Sequence, residues 1–82
     1  MLLNNVLTLC NSFESKEFDI VEFRERLETV LIPDEHKKEL EKELRYALNR
    51  LEEIFFCNLE RDYYFLGMEV ANHLRSFLKS TN

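Results

Sequence analysis

The amino-acid sequence predicts an all-α protein, an antiparallel four-helix bundle forming a single helical domain over residues 1–82, and three observations carry that expectation. One Gly and one Pro leave too few residues of positive or preset φ for the tight turns of a small β-barrel or sandwich. Apolar residues recur at steps of three or four along most of the chain, the period of one face of a helix. A hydrophobic share of 45% with charges of both signs at 33% suits one core under a solvated surface rather than a disordered chain.

The first helix is expected over about residues 2–13, with Leu2, Val6, Leu9 beside Cys10, and Phe13 on its apolar face. Glu14 to Glu17 read as a polar connector. Asp19 followed by Glu22 has the form of a capping box and opens the second helix, about 19–32, with Phe18 placed to staple its start. Its stripe is Ile20, Phe23, Leu27, Val30 and Leu31. Pro33 ends it, disfavouring helical geometry at Ile32 and lacking a backbone N–H. The third helix is expected at about 34–57, with Pro33, Asp34 and Glu35 suited to its first turn. Its stripe runs through Leu40, Leu44, Ala47 or Leu48, Leu51, Ile54 and Phe55, and Glu41 and Arg45 are spaced to pair at i, i+4.

The same spacing continues through Leu59, Tyr63, Leu66, Val70, Leu74 and Phe77, so the pattern alone permits one unbroken helix. Such a helix from residue 34 to 79 would run about 69 Å, far more than the first two helices can cover. A turn at Asn58 to Asp62 is therefore expected, with Asn58 accepting left-handed geometry and Asp62 capping a fourth helix at about 62–79.

The formal charge of −5 disfavours nucleic acid and anionic membranes and favours a basic protein partner. No basic n-region precedes Met1, Leu2 and Leu3, and no apolar run approaches a membrane span, so a cytoplasmic location is expected. Cys10 and Cys57 are expected as thiols. With His36 and His73 they make no pair at i, i+3 or i, i+4, and no metal and no cofactor are expected. Neither a Glu-x-x-His pair, a phosphate-binding Gly-rich loop nor a Gly-x-Ser-x-Gly elbow occurs, and the expectation is that the chain is not an enzyme.

Two features suggest a surface. From Ile54 to Phe65, five aromatic residues crowd the expected turn beside Glu52, Glu53, Glu60 and Asp62. Neighbouring helical residues lie about 100° apart, so one of Phe55 and Phe56, and one of Tyr63 and Tyr64, must approach solvent. Either Phe56 packs under the end of the first helix while Tyr64 snorkels, or an exposed Tyr64 anchors a partner within an acidic rim. The second feature is the run Glu14, Glu17, Asp19, Glu22, Glu25 and Glu28, faced only by Lys16, Arg24 and Arg26, which is either a solvated face or more of the same docking surface. The candidate partner-binding residues are Glu52, Glu53, Glu60, Asp62, Tyr64, Glu22 and Glu25, and no catalytic residue is assigned.

Lys16, the stretch Ile20-Val21-Glu22-Phe23-Arg24-Glu25-Arg26-Leu27, and later Gly67-Met68-Glu69-Val70 leading to Arg75-Ser76-Phe77-Leu78 give the chain a look that resembles the colicin D-type immunity proteins. Those are bacterial four-helix proteins of about this length that bind a tRNA-cleaving toxin domain and cover its basic active-site cleft with acidic side chains. The resemblance covers most of the chain loosely, through ordinary amphipathic helix sequence, and implies a toxin inhibitor whose partner is a nuclease domain. The segment Asp34 to Arg50 has no counterpart, so no toxin-contacting acid is carried onto a numbered position, and the candidate residues rest on charge and aromatic placement. The alternative is a helical oligomer, or a regulatory or adaptor module acting through protein contacts, and the chain is expected as a monomer or homodimer.

Overall fold

A computed structural model describes residues 4–30 and 37–81. Among them are four α-helices, α1 (Asn4–Glu14), α2 (Ile20–Glu28), α3 (Lys37–Cys57) and α4 (Tyr63–Thr81), with a 3₁₀ turn over Glu60–Asp62 leading into α4. The expected four-helix bundle is the fold. Each of α1 and α3 packs against both α2 and α4. The bundle measures 38 × 22 × 21 Å.

The core follows the expected stripes. Val6, Cys10 and Phe13 of α1, Ile20, Phe23 and Leu27 of α2, Leu40, Leu44, Ala47, Leu51 and Ile54 of α3, and Val70, Ala71, Leu74 and Leu78 of α4 are all buried. Among the described residues no polar or charged side chain is buried, so apolar contact holds these short helices together. The continuous stripe of α3 and α4 is folded back on itself: Leu51 and Ile54 meet Val70 and Leu74 inside one core.

Helix boundaries differ from expectation where local chemistry intervenes. α2 starts as expected, with the Asp19 carboxylate accepting from the Glu22 N–H at 3.0 Å and Phe18 against Phe23 at 6.1 Å between ring centroids. Only half of the capping box forms, because the Glu22 carboxylate turns forward to Arg26, 2.5 Å from its guanidinium. α2 stops at Glu28 rather than 32: Thr29 is its C-cap, at φ −104° and ψ 4°, and its hydroxyl lies 3.4 Å from the carbonyls of Glu25 and Arg26. The expectations for Leu2, Leu31, Pro33, Asp34, Glu35 and His36 lie outside the described residues. The Glu41–Arg45 pair does not form. Both side chains remain exposed, consistent with the few tenths of a kcal/mol such pairs contribute.

The connector after α1 is a Schellman turn, with the Glu17 N–H donating to the Ser12 carbonyl and the Lys16 N–H to the Phe13 carbonyl, both at 3.0 Å. Lys16 occupies the left-handed position at φ 63°, where glycine is usual. The break between α3 and α4 falls where expected, at residues 58–62, but by another mechanism. Asn58 is not left-handed, and its amide donates to the Ile54 carbonyl. Asp62 does not cap α4; its own N–H donates to the Leu59 carbonyl, and the 3₁₀ turn runs straight into the helix.

Candidate functional site

Carbonyls at a helix C-terminus lack intrahelical donors, and two adjacent tyrosines at the start of α4 supply them. Tyr63 Oη donates to the Phe55 carbonyl near the end of α3, and Tyr64 Oη donates to the Glu14 carbonyl at the end of α1, each at 2.7 Å. Nothing in the helical periodicity signals these contacts, because they depend on how three helix ends meet. They bring the α1–α2 turn, the start of α2 and the α3–α4 corner to one end of the bundle.

Between these elements lies an open groove of about 670 Å³, lined by Phe13, Lys16, Glu17, Phe18, Asp19, Ile20, Val21, Glu22, Phe55, Glu60, Tyr63 and Tyr64. A smaller depression of about 290 Å³ continues along α2 and α3 and shares Ile20, Val21 and Phe55 with it. Glu17, Asp19 and Glu22 of the acidic run therefore share one surface with Phe55, Glu60, Tyr63 and Tyr64 of the aromatic corner, some 40 residues away in sequence, while Glu14 pairs with Arg75 and Glu28 lines neither hollow.

The candidate residues divide accordingly. Glu22, Glu60 and Tyr64 line the groove, and Glu25 and Glu52 line the depression. Glu53 and Asp62 line neither. Three of the acids are engaged internally: Glu22 with Arg26, Glu53 with Arg50, and Glu52 with Arg24 at 3.2 Å. Arg24 also approaches Glu28 at 3.8 Å, while its Nε is buried without a hydrogen-bond partner. Among the described residues, Glu25, Glu60 and Asp62 stand exposed with no ion-pair partner.

Tyr64 is 36% exposed, its hydroxyl held by α1 and its ring stacked on Phe13 at 5.5 Å. It thus snorkels and still presents ring surface to the groove. Phe56 does not pack under the end of α1. It is 73% exposed, lies edge-to-face with Phe55 at 81° between the rings, and lines the depression beside α2. Phe65 and Leu59 are similarly bare, at 70% and 58%. Sequence reasoning placed Phe55 on the apolar stripe, yet it is partly exposed and forms the wall between the groove and the depression.

Elsewhere, His73 Nε2 lies 2.9 Å from Glu43 on α3, an edge histidine with a cross-helix partner. Cys57 is exposed and Cys10 buried, both as free thiols, and burial pushes the Cys10 thiol up to about 11 against a smaller lowering by Arg75. Among the described residues no group of three or more His, Cys, Asp or Glu is placed to hold a metal ion, and no helix is long and apolar enough to cross a membrane. No family model, curated protein or solved structure matches the chain.

Proposed function

We propose that this chain is a non-catalytic immunity protein that binds and neutralises a basic bacterial nuclease-type toxin domain by covering its active-site cleft with an acidic surface. The observation that carries the binding part is the convergence of two features onto one groove: Glu17, Asp19 and Glu22 of the acidic run from the α1–α2 side and an aromatic corner from α3–α4. Aromatic and apolar groups supply contact area once desolvated, while a rim of carboxylates steers a basic surface toward them and disfavours acidic competitors. The carboxylates would take the place of substrate phosphates on the toxin, so inhibition needs no chemical step. The toxin itself comes from the resemblance to the colicin D-type immunity proteins.

The test is capture from lysate of the source cells with the purified chain as bait, salt-gradient elution and mass spectrometry, followed by an RNA-cleavage assay on any partner. A basic nuclease whose cleavage stops at stoichiometric chain supports the whole reading. A basic partner whose activity is unchanged removes the antidote and leaves the binding module. Recovery of the chain alone removes both, and turns attention to self-association through the exposed Phe56, Leu59 and Phe65.

A further inference from the structure

Two rings that line the groove already hold cations, and both cations belong to the chain itself. Lys16 Nζ sits 4.7 Å from the centroid of the Tyr64 ring, and the Arg26 guanidinium sits 5.1 Å from that of Phe18. Arg26 is held by its ion pair with Glu22. Lys16 has no carboxylate partner among the described residues, although Glu17, Asp19 and Glu60 line the same groove. Its backbone, moreover, adopts the left-handed conformation that a Cβ makes unfavourable. Glycine would complete the same Schellman turn without that strain, so the turn alone does not account for a lysine here.

Resting on the basic-partner reading, we propose that the Tyr64 ring and the surrounding carboxylates form the seat for one arginine or lysine side chain of the protein partner, a seat that Lys16 fills in the free chain. Charge complementarity selects the occupant: an aromatic surface ringed by Glu17, Asp19 and Glu60 attracts a cation through the ring quadrupole and through Coulomb attraction together. Val21 and Phe55, both partly exposed beside the seat, offer apolar surface to the aliphatic stem of that side chain or to an apolar neighbour. A single tethered ammonium lies at the site, and arginine, with a planar fork that stacks on rings and pairs with carboxylates, is the stronger competitor for it. Lys16 therefore lowers the affinity for any partner that must displace it.

The consequence can be read in two directions with a synthetic amphipathic peptide built from leucine and arginine, measured by calorimetry against the full chain. Lys16→Ala vacates the seat while leaving the backbone demand unchanged, and binding should tighten about fivefold. Lys38→Ala removes the same charge from an exposed position near the opposite end of α3, and affinity should change less than about twofold. Tyr64→Leu, which loses the ring, should weaken binding about tenfold, whereas Tyr64→Phe, which loses only the hydroxyl bonded to Glu14, should bind as the parent does. Equal gains from Lys16→Ala and Lys38→Ala, or retained affinity in Tyr64→Leu, would overturn the seat while leaving a basic partner possible at another face. A parent chain that binds a leucine–glutamate peptide as well as the arginine one would overturn both the seat and the basic-partner reading. No binding of the arginine peptide overturns the seat alone, because lysate capture tests the partner separately.

Discussion

Gly67 is the one glycine of the chain, and it lies inside α4 where a helix would ordinarily favour alanine. On propensity alone, Gly67→Ala should stabilise by about 1 kcal/mol. The packing predicts the opposite. A Cβ at this position would lie 2.6 Å from Phe13 Cζ and 2.8 Å from Cε2, against about 3.5–4.0 Å for comfortable carbon contact. The Phe13 ring would have to withdraw by about 1 Å. It is 1% exposed, stacked at 4.6 Å on Phe23, and has Tyr64 at 5.5 Å, so it has nowhere easy to go. Overpacking of this kind costs about 1–3 kcal/mol, which outweighs the propensity gain and leaves a net loss of roughly 0–2 kcal/mol. Urea unfolding separates the two contributions through a double-mutant cycle with Phe13→Leu, which removes the ring atoms in question. In the Phe13→Leu background, Gly67→Ala should return to stabilising by about 1 kcal/mol, giving a coupling of about 1–3 kcal/mol. Stabilisation of about 1 kcal/mol in the parent, with no coupling to Phe13→Leu, would refute the close approach of α1 and α4.

Three further outcomes follow from single features. Lys16→Gly should raise unfolding stability by about 0.5–1 kcal/mol by relieving the left-handed Cβ, while Lys16→Ala should not; equal effects in urea melts would show that the turn is unstrained. Tyr63→Phe should cost about 0.5–1.5 kcal/mol, because the Phe55 carbonyl loses its donor at the end of α3, and an unchanged midpoint would show that water serves it equally well. Cys10 keeps its proton to higher pH in the folded chain than in the unfolded one, so its contribution is complete below the ordinary thiol value of 9.0 and is lost as pH rises through about 11. The parent should therefore lose stability across that window more steeply than Cys10→Ala, and parallel slopes would refute the linkage.

The helices and most of the core were legible because they depend on periodicity, and periodicity is local. Asp19 and Phe18 fixed the start of α2 by short-range contacts that sequence spacing displays directly. The end of α2 was not legible: Pro33 suggests a stop near residue 32, but the helix ends at Glu28 with Thr29 as its C-cap, about one turn earlier. The α3–α4 break was placed correctly from what two short helices can cover, yet its bonding was misjudged, since Asn58 and Asp62 use different partners from those their types suggest. Tyr63 and Tyr64 were legible as a pair that cannot both be buried. Their true roles, closing the ends of α3 and α1, require contacts across eight and fifty residues that no local pattern encodes.

The joining of the two surface features has a topological cause. When consecutive helices of a four-helix bundle run antiparallel, the first and third connections fall at one end and the second at the other. Residues 15–19 and 58–62 are those first and third connections, so the fold itself brings Glu17 and Asp19 opposite Glu60, Tyr63 and Tyr64. Connections favour polar residues, because their backbone groups need partners and their side chains meet solvent, and this concentrates carboxylates at that end. Polar turns do not explain aromatic excess: Phe56, Leu59 and Phe65 remain largely exposed at the same corner, where a bundle seeking only stability and solubility would place charge. Exposed apolar surface has an associative cost that the fold does not require, and it adjoins a groove whose carboxylates surround rings already drawing in lysine and arginine. Contact with another protein at this end gives both features a use, and the response of affinity to Lys16→Ala is the measurement most sensitive to it.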